Sequence, residues 1–536
     1  MGIDLDINSF STFEEESPAE YADRLGIHYT SLVNSDHKKA NGQFFTPLEI
    51  AKFMTAFSSK ESKKVKILDP GCGAGILSAA LCEELAHRNN VKSIELVAFE
   101  TDIDILPLSD LCFSYLAKWL KSKNIEFTYF LCKNDFILHN SRVLGSDIVN
   151  RECYDFIISN PPYFKLPKND NRILAAKNVI HGQTNIYSIF LLIAAKLLGQ
   201  NGQLIFITPR SFCSGNYFRL FRELFFETVL IQNVHLFNSR KDTFKRDKVL
   251  QENIIITAVP NLKTNLTLDK EISVSSSNGV IDINLRRTKR YKWNDLVNIN
   301  SYQKILHLPS SDVDEKVIKI FKTWTGSLKE YDLAISTGPV VDFRSTDFIC
   351  HRKSKESVPL LWLHNIENMN ISWPKNQGYK GKPKGQYIKN KEKSFSRLVK
   401  NTNYVLLRRF STKDDNKRLI AAPYLKNSIS NQPFIGIENH LNYIYHKNYE
   451  LSEKEIYGLA GILNSRLFDI YFRTFNGNIN VSATELRDFP LPQMDKIRSL
   501  GEAIIRYKET NKMYDIDSLV SKEFNILFDL SKNYGY

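Results

Sequence analysis

The feature that most constrains this chain is a glycine-rich turn between an apolar run and a helical pattern. Residues 65–68 are mostly apolar, and they lead into the sequence DPGCGAG at residues 69–75. Apolar residues then recur at helical spacing up to about residue 87. Glycines at such a strand-to-helix turn let the backbone pass close to a ligand, which is the Rossmann arrangement. The sequence therefore predicts an α/β fold with a ligand beside this turn.

The turn also indicates which ligand is bound. The glycines at 71, 73 and 75 form a GxGxG pattern, which differs from the GxGxxG pattern of dinucleotide sites. Asp69 stands at the end of the strand, where a carboxylate repels a pyrophosphate and attracts an ammonium group. This favours S-adenosylmethionine, which carries an amino-acid moiety, over a nicotinamide dinucleotide.

Two further acidic residues follow neighbouring predicted strands. Glu100 comes directly after the run 94–99, close to the offset at which an acid binds ribose hydroxyls. After the run 125–131, Asp135 could accept from an adenine amino group, with Phe136 packed on the ring. Taken alone, Glu100 could equally be a surface carboxylate and Asp135 the cap of a turn. Three acids at three successive strand ends instead predict one site at the carboxyl edge of the sheet.

A fourth predicted strand, residues 154–158, delivers the sequence SNPPY at residues 159–163 to the same edge. Asn160 offers hydrogen-bond acceptors on a backbone restricted by two prolines, and Tyr163 offers a flat stacking surface. This combination suits an exocyclic amino group on a planar ring. A Pro-rich turn without chemistry is the alternative, because Asn-Pro often initiates turns. The three upstream acids favour a site over a turn.

The sequence GQFFTP at residues 42–47 precedes a further helical pattern. Thr46 is a plausible N-cap, and Pro47 is expected at the first helical position. A helix start of this kind could face an anionic group. By itself, it is only a well-capped helix.

The remaining pattern predicts the architecture. Three more strands are predicted at 202–209, 229–237 and 253–259, and they complete a seven-stranded mixed α/β sheet. We expect an N-terminal arm at 1–40, a catalytic domain at 41–262, a linker at 263–325 and an α+β domain at 326–536.

The charge of the chain points to a polyanionic partner. The net charge is +13, and residues 375–400 contain nine Lys or Arg against one acid. Residues 286–292 are also basic, and Arg408 and Arg409 follow an apolar run. The 375–400 segment could be a solvated loop or a surface that binds phosphates.

Several protein classes are excluded. No apolar run reaches the roughly 18 residues of a membrane span, and the N-terminus lacks the basic and apolar segments of a secretory signal. The seven cysteines form no CxxC pair and have no His partner at metal-ligand spacing. We therefore expect a cytoplasmic protein with reduced thiols, no membrane association and no metal site.

The motifs in their order resemble one family, the gamma-class N6-adenine DNA methyltransferases, and within it the modification methylases of the PstI/BsuBI type. The similarity lies in GQFFTP at 42–47, LDPGCGAG at 68–75, FETD at 99–102, NDF at 134–136, SNPPYF at 159–164 and QENIII at 251–256. It covers about residues 40–260 and, more loosely, the chain from residue 336 onward. The resemblance implies a Rossmann-like class I methyltransferase fold.

The resemblance also implies roles for individual residues. The methyl donor would be held by Thr46 and Pro47 at its carboxylate, Asp69, Gly71 and Gly73 at its methionine part, Glu100 at its ribose, and Asp135 and Phe136 at its adenine. In the catalytic NPPY sequence, Asn160 and the Pro161 carbonyl would accept the two amino hydrogens of the target base, Pro162 would restrict the backbone, and Tyr163 would stack on the flipped base. Phe244 is favoured as the opposing aromatic, with Phe237 in reserve.

The C-terminal domain would then recognise the DNA target. Its expected DNA-binding residues are Lys380, Lys382, Lys384, Lys389, Arg408 and Arg409. The implied function is sequence-specific adenine-N6 methylation of duplex DNA in a restriction-modification system, with any cognate endonuclease encoded separately and no obligate protein partner. Two alternatives stay open: an amino methyltransferase that acts on RNA or protein glutamine, and a non-enzymatic DNA-binding subunit.

Overall fold

A nine-stranded mixed sheet organises the first half of the chain in the computed structural model. Its strands are β1 (Lys64–Pro70), β2 (Ser93–Phe99), β3 (Glu126–Cys132), β4 (Tyr154–Ser159), β5 (Leu198–Pro209), β6 (Val229–Phe237), β7 (Asn253–Pro260), β8 (Glu271–Ser277) and β9 (Arg287–Lys292). The structure describes residues 10–34, 36–37, 42–88, 90–145, 153–181, 185–238, 252–262, 270–298, 301–375, 384–411, 415–476, 481–510 and 512–530.

The strand order is β3-β2-β1-β4-β5-β7-β6-β8-β9. Strands β1 to β5 are parallel to one another, and β7 is antiparallel to both β5 and β6. The order reverses between β1 and β4, and in open α/β sheets ligands bind in the crevice at the carboxyl ends beside such a point. The seven predicted strands are all present, but the predicted count is wrong because β8 and β9 extend the sheet.

The last two strands overturn the predicted linker at 263–325. Strand β8 pairs parallel with β6, and β9 pairs antiparallel with β8. The first unit of the structure accordingly runs to residue 310. The sequence pattern did not predict β9 because this edge strand carries polar residues on both faces.

Helices cover both faces of the sheet. They are α1 (Pro18–Leu32), α2 (Leu48–Thr55), α3 (Ile76–Ala86), α4 (Leu106–Ser122), α5 (Phe136–Asn140), α6 (Asn171–Ala175), α7 (Ile186–Leu197), α8 (Arg219–Thr228) and α9 (Trp293–Leu296). Side chains of α1 to α4 contribute to the core on one face, and those of α7 and α8 to the core on the other. The segment predicted as an arm contains α1, whose Leu25 and Tyr29 are fully buried.

The second unit, residues 311–536, combines small sheets with helices. Four strands pair in the order β10-β20-β17-β18, and five in the order β11-β15-β12-β19-β16. Their bounds are β10 (Leu333–Thr337), β11 (Ile349–Cys350), β12 (Ser357–Leu361), β13 (Ile366–Glu367), β14 (Asn370–Ile371), β15 (Tyr387–Lys389), β16 (Leu398–Lys400), β17 (Tyr404–Arg408), β18 (Ala421–Tyr424), β19 (Phe434–Ile437) and β20 (Leu441–His446).

The helices of the second unit are α10 (Asp312–Thr323), α11 (Glu453–Asn464), α12 (Arg466–Arg473), α13 (Ala483–Arg487), α14 (Met494–Glu509) and α15 (Ile516–Glu523). Helix α10 lies before residue 326, so this unit starts earlier than the predicted α+β domain. In the part of the chain that the structure describes, no helix is long and apolar enough to cross a membrane.

Candidate functional site

A cleft opens at the carboxyl ends of the first four strands, as the strand order favours. It brings together eight of the residues predicted from the sequence. These are Thr46, Gly71, Gly73, Glu100, Asp135, Phe136, Asn160 and Pro162. Pro47, Asp69, Pro161 and Tyr163 were also predicted, but they do not line it.

The glycine turn shapes one wall of the cleft. Gly75 has φ of 91°, and a Cβ there would lie 2.7 Å from the ring of Phe113, so only glycine fits between β1 and α3. Gly71 has φ of 82°, and its nearest neighbours would be Phe190 and Pro162, both 3.9 Å from an added Cβ. Those two residues line the cleft. Gly71 also lines the cleft, and neither residue would approach an added Cβ more closely than an ordinary van der Waals contact.

Glu100 holds the glycine turn in place. Its Oε2 accepts from the Gly73 N–H at 3.0 Å, and its Oε1 accepts from the N–H groups of Thr101 and Asp102 at 2.8 and 2.9 Å. Burial raises the pKa of Glu100 above its ordinary value, although these donors act in the opposite direction. Oε2 has a lone pair left for a hydroxyl group in the cleft.

Asp69 is completely buried at the end of β1. Its Oδ2 accepts from the Ser78 hydroxyl at 2.6 Å, while Oδ1 has no hydrogen-bond partner among the described residues. Burial raises the pKa of this carboxyl to about 7. Asp69 does not line the cleft, so its predicted contact with the methyl donor stays a prediction. Its unpaired Oδ1 lies two residues before Gly71 in the sequence.

The amide of Asn160 is fixed by the segment before α2. Its Nδ2 donates to the Phe44 carbonyl at 2.8 Å and to the Thr46 hydroxyl at 3.1 Å. Both amide hydrogens are thus used, and the orientation of Oδ1 is defined. The prediction that Thr46 caps the helix and Pro47 begins it is wrong: Pro47 is the N-cap, α2 begins at Leu48, and the Thr46 side chain turns to Asn160 instead.

Replacing Thr46 should lower turnover through Asn160. We expect Thr46→Val to reduce kcat about tenfold, because one amide hydrogen loses its acceptor, at a cost of about 1–3 kcal/mol. Thr46→Ser keeps the oxygen and should restore most of the activity. Steady-state kinetics with separate KM values for donor and acceptor measure the effect. A loss confined to donor affinity would assign Thr46 to the donor carboxylate, as the resemblance implies.

Tyr163 is placed differently from the prediction. Its ring is only 5% exposed, with its centroid 5.7 Å from that of Phe44 in a stacked arrangement. Its hydroxyl donates to Asn160 Oδ1 and contacts the Ile207 carbonyl at 2.9 Å. Burial raises its pKa well above the ordinary value. A base could stack on Tyr163 only after the segment from Gly42 to Phe44 had moved.

The third predicted strand end carries a capped helix and an aromatic wall. Asp135 is the N-cap of α5, accepting from the Leu138 N–H at 2.9 Å, and its other oxygen lies 3.6 Å from Arg172. Phe136 is almost fully buried, with its ring centroid 5.0 Å from that of Phe190. The turn-capping alternative is therefore observed for Asp135, which nevertheless lines the cleft.

Sequence reasoning missed the residue that joins the N-terminal segment to the cleft. Asp102 Oδ2 accepts from Tyr29 at 2.5 Å, Gln43 at 2.6 Å and His37 at 3.0 Å. Burial alone would raise the pKa of Asp102, but these bonds hold it below its ordinary value. The FETD sequence contained this acid, but no spacing rule connects it to residues more than 50 positions upstream.

The predicted base-stacking residues receive no support from the fold. Phe244 lies outside the described residues. The reserve candidate, Phe237, is 4% exposed and packs edge-on against His235 at the end of β6, so it is a core residue. Because Phe237 ends a strand of mostly apolar residues, its position could have indicated a buried side chain.

The predicted DNA-binding residues lie in the second unit, where Lys380 and Lys382 fall outside the described residues. Lys384 forms an ion pair with Asp342, and Lys389 donates to the Asp347 carbonyl. The guanidinium groups of Arg408 and Arg409 each donate to a backbone carbonyl, of Ile366 and Asn439 respectively. All four side chains remain partly exposed.

The site offers acceptors and aromatic surfaces rather than metal ligands. Within the described ranges, no group of three or more His, Cys, Asp or Glu residues could hold a metal ion. The cleft combines the Glu100 carboxylate, the Phe136 ring and the oriented Asn160 amide. Such a set can hold a nucleoside with hydroxyl groups and present an acceptor to an amino group.

Several known proteins are similar to this chain. Residues 75–244 match the family described as Eco57I restriction-modification methylase. The chain is 32% identical over 509 residues to the type II methyltransferase M.BsuBI of Bacillus subtilis, covering 93% of this chain and 96% of that protein. It is 30% identical over 530 residues to M.PstI of Providencia stuartii, covering 95% and 100%. The solved type IIG restriction endonuclease BpuSI is similar with a TM-score of 0.43 and 14% identity, covering 95% of this chain and 66% of that one.

Proposed function

Since the chain belongs to the type II restriction-modification methyltransferases of the PstI/BsuBI type, we propose that it transfers a methyl group from S-adenosylmethionine to N6 of adenine in duplex DNA. The observation that carries this proposal is the fixed amide of Asn160 at the end of β4. Its oxygen is the acceptor that an exocyclic amino group requires, and it lies in the same cleft as Glu100.

The cleft fits the proposed methyl donor. Glu100 would accept from its ribose hydroxyls, Phe136 would pack on its adenine, and the space beside Gly71 would take its methionine part. Asp69 does not line the cleft, so its unpaired Oδ1 would reach the ammonium group only after the end of β1 had shifted. When bound, S-adenosylmethionine supplies an electrophilic methyl group on a sulfonium.

The residues at the end of β4 would activate the amine. An exocyclic amine is a poor nucleophile because its lone pair is delocalised into the ring. Asn160 Oδ1 would accept one amino hydrogen, and the Pro161 carbonyl, which does not line the cleft as it stands, is the proposed second acceptor. Together they would draw the nitrogen towards tetrahedral geometry and expose that lone pair. Holding the amine in line with the methyl group contributes most of the remaining acceleration. The target amine would replace the Tyr163 hydroxyl at Oδ1, and the proton would leave afterwards to water.

DNA would bind with the target adenine flipped from the duplex, because a stacked base cannot reach such a cleft. Moving the segment from Gly42 to Phe44 would expose the Tyr163 ring for stacking, with Phe244 as the proposed partner. The second unit would act as the target-recognition domain, with phosphate contacts from Lys384, Lys389, Arg408 and Arg409. We further propose a cytoplasmic enzyme with a separately encoded endonuclease and no obligate protein partner.

The test uses the full chain with labelled S-adenosylmethionine and four acceptors: mixed-sequence duplex DNA, the same DNA as single strands, RNA, and a glutamine-containing protein. Nucleoside analysis should detect N6-methyladenine in duplex DNA, and sequencing should place it in one sequence context. N4-methylcytosine would overturn the choice of base. Labelling of RNA or protein without duplex DNA would support the alternative amino methyltransferase instead.

A further inference from the structure

The connection between β8 and β9, residues 278–286, carries an unusual surface at its tip. Ile281 and Leu285 are 93% and 84% exposed, respectively. Directly after them, residues 286–292 contain five Lys or Arg and no acid. Apolar side chains beside cations form a surface that matches nucleic acid, where phosphates attract the cations and apolar groups can enter a groove.

Local hydrogen bonds and one buried side chain order the 278–286 connection. Asp282 accepts from the N–H groups of Asn278 and Gly279, both at 2.9 Å. The hydroxyl of Ser277 donates to the Gly279 carbonyl at 2.9 Å, and Ile283 is buried in the core with 4% exposure. Anchoring Ile283 inside holds Ile281 and Leu285 in solvent.

The sheet topology puts this connection at the same edge as the catalytic asparagine. Strands β4, β5, β6 and β8 are parallel through their antiparallel neighbour β7, so Ser277 and Asn160 both follow carboxyl ends. Ser276 pairs with Arg287, which puts the start of β9 at this edge too. Five strand spacings of about 4.8 Å separate β4 from β9, a span of about 24 Å or roughly seven base pairs.

The cleft lies on one half of this carboxyl edge. Its residues come from the ends of β1 to β4, whereas β8 and β9 lie beyond β5, β7 and β6 on the other side. DNA that delivers a base to Asn160 therefore has the β5-to-β9 half of the edge to lie against. At the start of β9, the Arg286 guanidinium lies 5.0 Å from the ring centroid of Phe53, which braces it at the surface.

We propose that the 278–286 connection and the basic strand β9 bind the duplex flanking the target adenine, with Arg287 and Arg290 on phosphates and Ile281 and Leu285 against a groove. Arg290 lies 3.8 Å from the exposed Glu271 carboxylate, and a phosphate would replace that partner. This rests on the proposed function. Cations on an edge strand also hinder pairing with other sheets, but that role does not explain two anchored and exposed apolar side chains. The same cations would repel a second copy of this chain.

The charges are tested with a matched pair of double variants. Arg287→Ala/Arg290→Ala removes two cations from β9, and Lys118→Ala/Lys121→Ala removes two exposed cations from α4. The end of α4 lies at the opposite edge of the sheet, because the helix returns the chain to the start of β3. In DNA-binding titrations over a range of salt, the arginine variant should lower the log–log salt slope by about 1.8, from about 0.9 per lost phosphate contact. The lysine variant should keep the wild-type slope.

The apolar tip is tested with Ile281→Ser/Leu285→Ser. DNA affinity should fall about five- to tenfold at unchanged salt slope, because the variant loses the apolar surface that would leave water on binding. Thermal unfolding should stay at the wild-type temperature because both side chains are exposed. An affinity equal to wild type would exclude a groove contact.

Failure of this inference is distinguishable from failure of the proposed function. If the wild-type chain methylates no DNA, the proposed function fails. If it does methylate DNA and the arginine and lysine variants have the same salt slope, only the β9 surface is excluded. Loss of binding to anionic lipid vesicles, or of self-association, in the arginine variant with DNA binding intact would overturn the choice of partner.

Discussion

Asn160→Ala is expected to lower the rate of methyl transfer to DNA by about 10²–10³-fold, the loss typical of removing one preorganised polar group from a transition state. The variant should bind S-adenosylmethionine within about threefold of wild type, because Glu100 and Phe136, the residues proposed to contact the donor, remain. Single-turnover methylation with labelled donor measures the first quantity, and calorimetry measures the second. Near-normal methylation by the variant would refute the assignment.

A second substitution separates the two functions of this side chain. Asn160→Asp keeps an acceptor for the amine but puts an oxygen against the Phe44 carbonyl and the Thr46 hydroxyl, where Nδ2 now donates. Its rate should fall between those of wild type and Asn160→Ala. Equal loss in both variants would mean that orientation by the amide hydrogens, and not the acceptor itself, limits the rate.

Asp69→Asn should change the free energy of unfolding relative to wild type by about 4 kcal/mol between pH 4 and pH 8. The pKa of Asp69 is raised from 3.8 in the unfolded chain to about 7 in the folded one, and a tenfold change in proton affinity corresponds to about 1.4 kcal/mol. Between these two pH values, the unfolded chain has released the proton and the folded chain still holds it, so wild-type stability falls as pH rises. The asparagine carries no charge, and its stability relative to wild type should therefore rise between pH 4 and pH 8.

The measurement should report the first unit alone. Urea titrations read by pulsed hydrogen exchange of peptides from β1 give its free energy of unfolding at each pH. Asp282→Asn is the opposite control, because two backbone hydrogen bonds lower the pKa of Asp282 and its contribution is lost as pH falls. A pH-independent difference between Asp69→Asn and wild type would show that Asp69 is ionised throughout. Donor affinity measured on the same variant tests its proposed contact with the ammonium group.

Local patterns predicted the sheet well because each of its first seven strands is apolar enough to be read from its own residues. Parallel topology then gathers the glycines, the acids and the NPPY sequence at one edge of the sheet, because each of them follows the carboxyl end of a strand. Strand β9 escaped prediction for the opposite reason. At the edge of the sheet, its side chains face solvent on both sides, so they show no burial pattern.

The parts of the site that could not be predicted depend on contacts distant in sequence. Thr46 read as a helix cap because capping follows local spacing, whereas its actual partner, Asn160, is 114 residues away. Asp102 joins Tyr29 and His37 across 73 and 65 residues, respectively. For Tyr163, stacking on the target base stays a prediction, and only the fold shows that Phe44 already stacks on the ring and that the hydroxyl donates to Asn160.

The enclosed position of Tyr163 bears on how the enzyme would treat the soluble nucleotide pool. A free adenine nucleotide carries the same amino group as adenine in DNA, but it has no flanking backbone for a basic surface to bind. It would have to displace the Tyr163 hydroxyl from Asn160 and lift the Phe44 segment with its own few contacts. A polymer can offset that cost along its length. The closed tyrosine would thus spare the methyl donor from futile consumption by monomers.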